Sequence, residues 1–142
     1  MDKEYKILDH PSDVRVQAFG KTREELFLNA MKGMTAVLQP QIRSTKSLPR
    51  RQAGEIRNIK VKSVDLNALL VDFLSEVLYL IQTNKEVYNN VKFTKFSDQK
   101  LEAELFGNRV ESFNEDIKAV TYHGLKIEQR NGLYEATILF DI

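Results

Sequence analysis

Two acidic groups stand side by side at the end of the sequence: the side chain of Asp141 and the main-chain carboxylate of Ile142. Held within a few ångströms they repel, and a hard cation or a basic side chain between them removes the repulsion. From these residues alone two readings stay open, an oxygen-lined cation site or a pair of carboxylates facing water at a sheet edge. Asp72 and Glu76, four apart on a predicted helix, could also hold a metal, but that spacing is more often a solvated helix face. His10 and His123 could each ligate a metal or move a proton. An isolated histidine near a strand end is more often a hydrogen-bonded structural residue. No serine elbow or glycine-rich phosphate loop is visible, and with no cysteine in the chain, thiolate metal sites, disulfides and a cysteine nucleophile are excluded.

The elements that must position these residues follow from periodicity. Tyr5 to Leu8 is a short apolar run, and Asp13 to Ala18 alternates with period two. Val14, Val16 and Ala18 then share a buried face, while Asp13, Arg15 and Gln17 point toward water or a shared site. Gly20 ends that strand. Thr22 and Glu25 match a capping box, and Leu26, Phe27, Ala30, Met31, Met34, Val37 and Leu38 recur at helical spacing to a stop at Pro40. That stripe reads as core. Residues 40–54 carry Arg43, Lys46, Arg50 and Arg51 with two prolines and no apolar period, and read as a basic loop.

Ile59 to Lys62 alternates as a strand. Ser63 or Asp65 can cap the following helix, whose apolar stripe of Leu66, Leu69, Leu70, Phe73, Leu74, Val77, Leu78 and Ile81 is wide enough for a central position. Val91 to Phe96 and Leu101 to Leu105, joined at Ser97–Gln99, predict a hairpin. Residues 107–118 read as irregular. Ala119 to Glu128 then runs into the Asn131-Gly132 turn signal, and Leu133 to Ile142 returns. On that last strand Tyr134, Ala136, Ile138, Phe140 and Ile142 share one face, which suggests that this end is tied down. The fold class is α+β, a single domain over 1–142 with mainly antiparallel sheets packed with two principal helices, about 22–39 and 65–82.

Bulk composition narrows the function classes. A chain of 142 residues with 42% apolar and 29% charged residues has ordinary globular proportions, and no window of about 18 apolar residues suggests a bilayer crossing. The charged start, Met1-Asp2-Lys3-Glu4, is unlike a secretory signal. A soluble, cytoplasmic protein without membrane contact is expected. The 21 basic and 20 acidic residues create no global field for polyanions, so contact with RNA would need a local patch such as the basic loop.

Several segments together resemble the archease family: His10-Pro11-Ser12-Asp13 before an alternating strand, the capped helix that follows, Lys118-Ala119-Val120-Thr121-Tyr122-His123-Gly124-Leu125, and Phe140-Asp141-Ile142. The Lys-Ala-Val-Thr-Tyr-His run and the closing Asp-Ile are the specific parts, and the resemblance covers essentially the whole chain. Pro11 and Ser12 depart from the family's usual threonine and alanine, and residues 108–117 are short, without the proline and histidine common there. The resemblance implies a protein cofactor, not an enzyme, that activates the tRNA-splicing RNA ligase. It would promote nucleotidylation of the ligase with GTP and multiple turnover in tRNA splicing and RNA repair, meeting RNA only through the ligase. It further implies a divalent cation, calcium as the family models it with magnesium or manganese as substitutes, held by Asp13, Asp141 and Ile142. His10, Lys118 and His123 become site neighbours or partner contacts. Two other classes compete: a stand-alone metal-dependent phosphoester or nucleotide hydrolase, and an RNA-binding or chaperone-like module using Arg50 and Arg51.

Overall fold

The computed structural model describes residues 3–9, 12–42 and 55–142. His10 and the basic residues Arg43, Lys46, Arg50 and Arg51 lie outside the described residues. In chain order the elements begin with strands β1 (Tyr5–Asp9) and β2 (Asp13–Gly20), helix α1 (Arg23–Leu38), and strands β3 (Pro40–Gln41) and β4 (Glu55–Lys62). Helix α2 (Leu66–Asn84) follows, then β5 (Glu86–Phe96), β6 (Lys100–Arg109), β7 (Ser112–Phe113), β8 (Ala119–Thr121), β9 (Glu128–Arg130) and β10 (Leu133–Asp141).

Alternating side chains fix which strand face is dry, and register follows from it. The larger sheet runs β1-β2-β10-β8, with β9 also on β10, and every pairing is antiparallel. Its inner face is Val14, Val16 and Ala18 opposite Phe140, Ile138 and Ala136, all buried. A second sheet runs β4-β6-β5, and β3 pairs β7. The Asn131-Gly132 turn joins β9 to β10 with φ of 51° and 78°, the left-handed pair that matches hairpin twist and that asparagine and glycine tolerate.

The helices sit between the two sheets, α1 against β2, β1, β10 and β5, and α2 against β4, β5, β8 and α1. Thr22 caps α1, its hydroxyl accepting from the Glu25 amide at 3.0 Å, while Glu25 Oε1 accepts from the Lys21 amide at 2.8 Å. The reciprocal bond of the expected capping box therefore falls one residue further out. Of the two candidate caps for α2, Asp65 serves, accepting from Ala68 at 2.8 Å. Phe27 and Phe73 are fully buried and meet Phe93 and Phe96 in tilted and edge-to-face contacts. Each such ring contributes about 1.5–3 kcal/mol by burial. One expectation needs correction here: by length and a mean hydropathy of 1.3, α2 does reach the range of a membrane-crossing helix. In this fold that apolar surface is the stripe from Leu69 to Ile81, buried in the core.

Two further readings change. The second hairpin is longer than predicted, with β5 starting at Glu86 and β6 continuing through Gly107 to Arg109, and residues 112–113 form β7 within the stretch expected to be irregular. Sequence alternation missed this because β5 carries register irregularities at Tyr88/Asn90 and Phe93/Lys95, which break the period. In the other direction, the run from Ala119 to Glu128 is not one strand: β8 ends at Thr121, and residues 122–127 turn at Gly124 (φ 65°) before β9.

The early start of β5 buries a charge. Glu86 is 2% exposed and accepts two bonds from the Arg57 guanidinium, at 2.9 and 2.7 Å, and one from the Tyr88 hydroxyl at 2.8 Å. The bonds from Arg57 hold the carboxyl below the usual glutamate range despite burial. Burial, reinforced by the bond to Glu86, pushes the Tyr88 phenol up.

Candidate functional site

Pairing of β2 with β10 places Asp13 directly opposite Asp141. Opposed residues on antiparallel strands lie about 4.5–5.5 Å apart at Cα. Their neighbours Val14 and Phe140 point into the core, so both carboxylates project from the outer face. Asp13 is half-buried and Asp141 exposed. Like charges directly opposed on a sheet cost up to about 1 kcal/mol. On the far side of β10, Ala119 pairs with Asp141 and the Lys118 amide donates to the Asp141 carbonyl at 2.7 Å. Three strands thus converge on Asp13, Asp141 and Lys118 at one rim of the sheet.

The donor set fits a hard divalent cation. Asp13 and Asp141 offer oxygen only, the chemistry of calcium, magnesium or manganese and not of soft metals. Among the described residues no group of three or more His, Cys, Asp or Glu side chains could hold a metal. A cation held there would take its further oxygens from main-chain carbonyls, amide or hydroxyl side chains, or water. Ile142 directly follows Asp141, half-exposed, with its side chain packed on the core.

His123 comes to the same face by a different route. A cavity of about 540 Å³ lies on the outer side of the larger sheet, lined by Asp13, Arg15, Gln17, Thr137, His123 and Gly124 over Leu8 and Leu139. His123 and Gly124, within the turn of residues 122–127, form its wall, and side chains of α2 hold that turn. The Ile127 amide donates to Asn67 Oδ1 at 3.0 Å, and the Tyr122 hydroxyl donates to Asp72 Oδ1, whose other oxygen accepts from Ser63 Oγ at 2.5 Å. The bond to Asp72 pushes the Tyr122 phenol up. Asp72 is therefore engaged with this loop, whereas Glu76 remains on the exposed side of α2.

Of the residues singled out from sequence, Asp13 and Asp141 are brought together, Lys118 stands beside Asp141, and His123 shares the cavity with Asp13. Sequence reasoning missed Thr137, Leu139 and the Asn67 and Asp72 contacts. Period-two alternation does place Arg15 and Gln17 on the face of Asp13, and the same count places Thr137 and Leu139 on the face of Asp141. What it lacks is the register that joins the two faces.

A family model described as the Archease protein family (MTH1598/TM1083) matches residues 5–142. A protein archease of Methanosarcina barkeri is 37% identical over 148 residues, covering 99% of this chain and 97% of that one. One from Thermoplasma acidophilum is 32% identical, covering 97% and 93%. The solution structure of Methanobacterium thermoautotrophicum protein 1598 superposes with a TM-score of 0.71 at 26% identity, covering 98% of this chain and 99% of that one. A Thermotoga maritima crystal structure, described as an archease and possible chaperone, has the same fold with a TM-score of 0.68 at 17% identity over the whole of both chains.

Proposed function

The chain belongs to the archease family, and on that premise we propose that it activates the tRNA-splicing RNA ligase, promoting nucleotidylation of the ligase's active-site histidine with GTP and restoring multiple turnover. The observation that carries this reading is the opposition of Asp13 and Asp141 on neighbouring strands, with Lys118 and His123 beside them. That rim is an acidic, oxygen-rich projection suited to meeting another enzyme's nucleotide and metal pocket. Asp13, Asp141 and Ile142 would hold a divalent cation, calcium or in its place magnesium or manganese. When bound, that ion supplies charge neutralisation for phosphate oxygens.

The chain's own residues contribute position. The β2–β10 ladder fixes the spacing of the carboxylates, the Lys118 amide ties the Asp141 carbonyl, and the Asn67 and Asp72 contacts hold the His123 loop over the outer face. Its partner is the ligase, met transiently in the cytoplasm, and RNA is reached only through it. The test is ligase turnover with Asp13→Ala and Asp141→Ala protein, each checked for native folding by thermal melting. Loss of stimulation by both is expected. Full stimulation by both variants would overturn the reading.

A further inference from the structure

Arg15 occupies the centre of the cavity's floor strand, yet its cross-strand neighbours on both sides are leucines, Leu8 on β1 and Leu139 on β10. Among the described residues its guanidinium makes no hydrogen bond or ion pair, and the side chains of Gln17 and Thr137 make none either. Arg57 is matched with Glu86, Lys32 with Glu4 and Arg130 with Glu135; among the described residues Arg15 is exposed and without an ion pair, as Lys60 and Lys126 are, but Arg15 is the one of these that lines the cavity. Arg15, Gln17 and Thr137 line one cavity together. They offer a planar five-donor fork, an amide and a hydroxyl. The acidic end is set by Asp13 and Asp141, one step along each strand on the same face.

We propose that this cavity is a binding site for a phosphate monoester, its terminal phosphate on Arg15, Gln17 and Thr137 and a divalent cation bridging it to Asp13 and Asp141. The cation part of this inference rests on the reading above; the anion part rests on Arg15 and its surroundings. A guanidinium recognises phosphate through two parallel N–H bonds, and donors from two neighbouring strands surround the same anion. Without a cation the phosphate would face the carboxylates, so binding of anion and cation must reinforce one another. The leucine floor suits the apolar face of a base or ribose, and a cavity of about 540 Å³ falls within the usual range of small-molecule sites, roughly 300–1,000 Å³. The terminal phosphate can belong to a free nucleotide or to the end of an RNA strand.

The experiment uses the full chain without ligase. Binding of inorganic phosphate, adenosine monophosphate and a short oligoribonucleotide with and without a terminal phosphate is followed by calorimetry and amide chemical shifts, with and without magnesium. The phosphorylated probes are expected to bind more tightly with magnesium. Arg15→Gln should weaken binding about tenfold or more, the equivalent of one charge-assisted bond. Arg15→Lys should keep part of the affinity, and Lys100→Gln, the same charge change on the other sheet, should leave it unchanged. Binding of the nucleotide alone identifies the free source, and preference for the phosphorylated strand identifies an RNA end; both support the site. Absence of saturable binding in the millimolar range, equal binding to Arg15→Gln, or equal binding of the unphosphorylated strand overturns it. Because no ligase is present, this outcome is independent of whether Asp13→Ala protein still stimulates the ligase.

Discussion

Glu86 and the Asp13–Asp141 pair are both acidic sites on sheet strands, but they are treated in opposite ways. Glu86 is enclosed, and the chain itself supplies its bidentate arginine and its tyrosine. Asp13 and Asp141 are set opposite each other at a wet rim, where each worsens the other's electrostatics. A carboxylate matched inside the chain stabilises the fold, whereas two opposed carboxylates gain stability from a cation. On the proposed function, the contrast separates a structural charge from a pair that a cation would stabilise.

The largest expected effect breaks the structural side. Glu86→Ala leaves Arg57 without its carboxylate and should cost roughly 3 kcal/mol, the low end for breaking a buried pair because Arg57 is 37% exposed. Urea unfolding measures it, and ligase stimulation per folded molecule should be unchanged. The same pair sets a pH dependence. Its folded carboxyl titrates below its unfolded value, so its stabilisation is fully present above the ordinary glutamate value of about 4.3 and is lost as pH falls through the lower folded value. Melting curves across this range should fall less steeply for Glu86→Gln than for the parent chain.

The next effect tests the functional side. A divalent cation at a hundredfold excess over its dissociation constant should stabilise the parent by about 2.7 kcal/mol, and Asp13→Asn or Asp141→Asn should abolish that rise. In the absence of divalent cation Asp141→Asn should be more stable than the parent by a few tenths to about 1 kcal/mol, through relief of the like-charge opposition. A variant that is less stable under those conditions contradicts the contrast drawn here. The smallest effect is expected at the loop: Tyr122→Phe removes an exposed bond to Asp72 and should cost about 0.5 kcal/mol. Its amide shifts should change across residues 122–127, not in β2.

Sequence patterning revealed much of this, unevenly. Both helices carry long apolar stripes and capping residues, and β2 and β10 alternate without interruption, so these elements and their faces were legible. The start of β5 was not, because Glu86 in a buried position contradicts its own polarity until Arg57 is known to meet it. Residues 122–127 passed for strand because Val120, Tyr122 and Leu125 look sheet-like, and only the positive φ of Gly124 shows the break. The acidic residue Asp141 was visible as a candidate, but its opposition to Asp13 is a long-range pairing. Local propensity carries no information about it, and the family resemblance implies only that the two residues share a cation site.

The β2–β10 ladder also has a kinetic consequence. The two carboxylates lie far apart along the chain, so the rim exists only after the long loop between residues 13 and 141 has closed, a step whose entropy must be met by the core that forms with it. Partly synthesised or partly folded chains cannot present Asp13 and Asp141 together. The rim proposed to hold a cation would thereby be a readout of completed folding, and a ligase that depends on it would respond only to folded molecules.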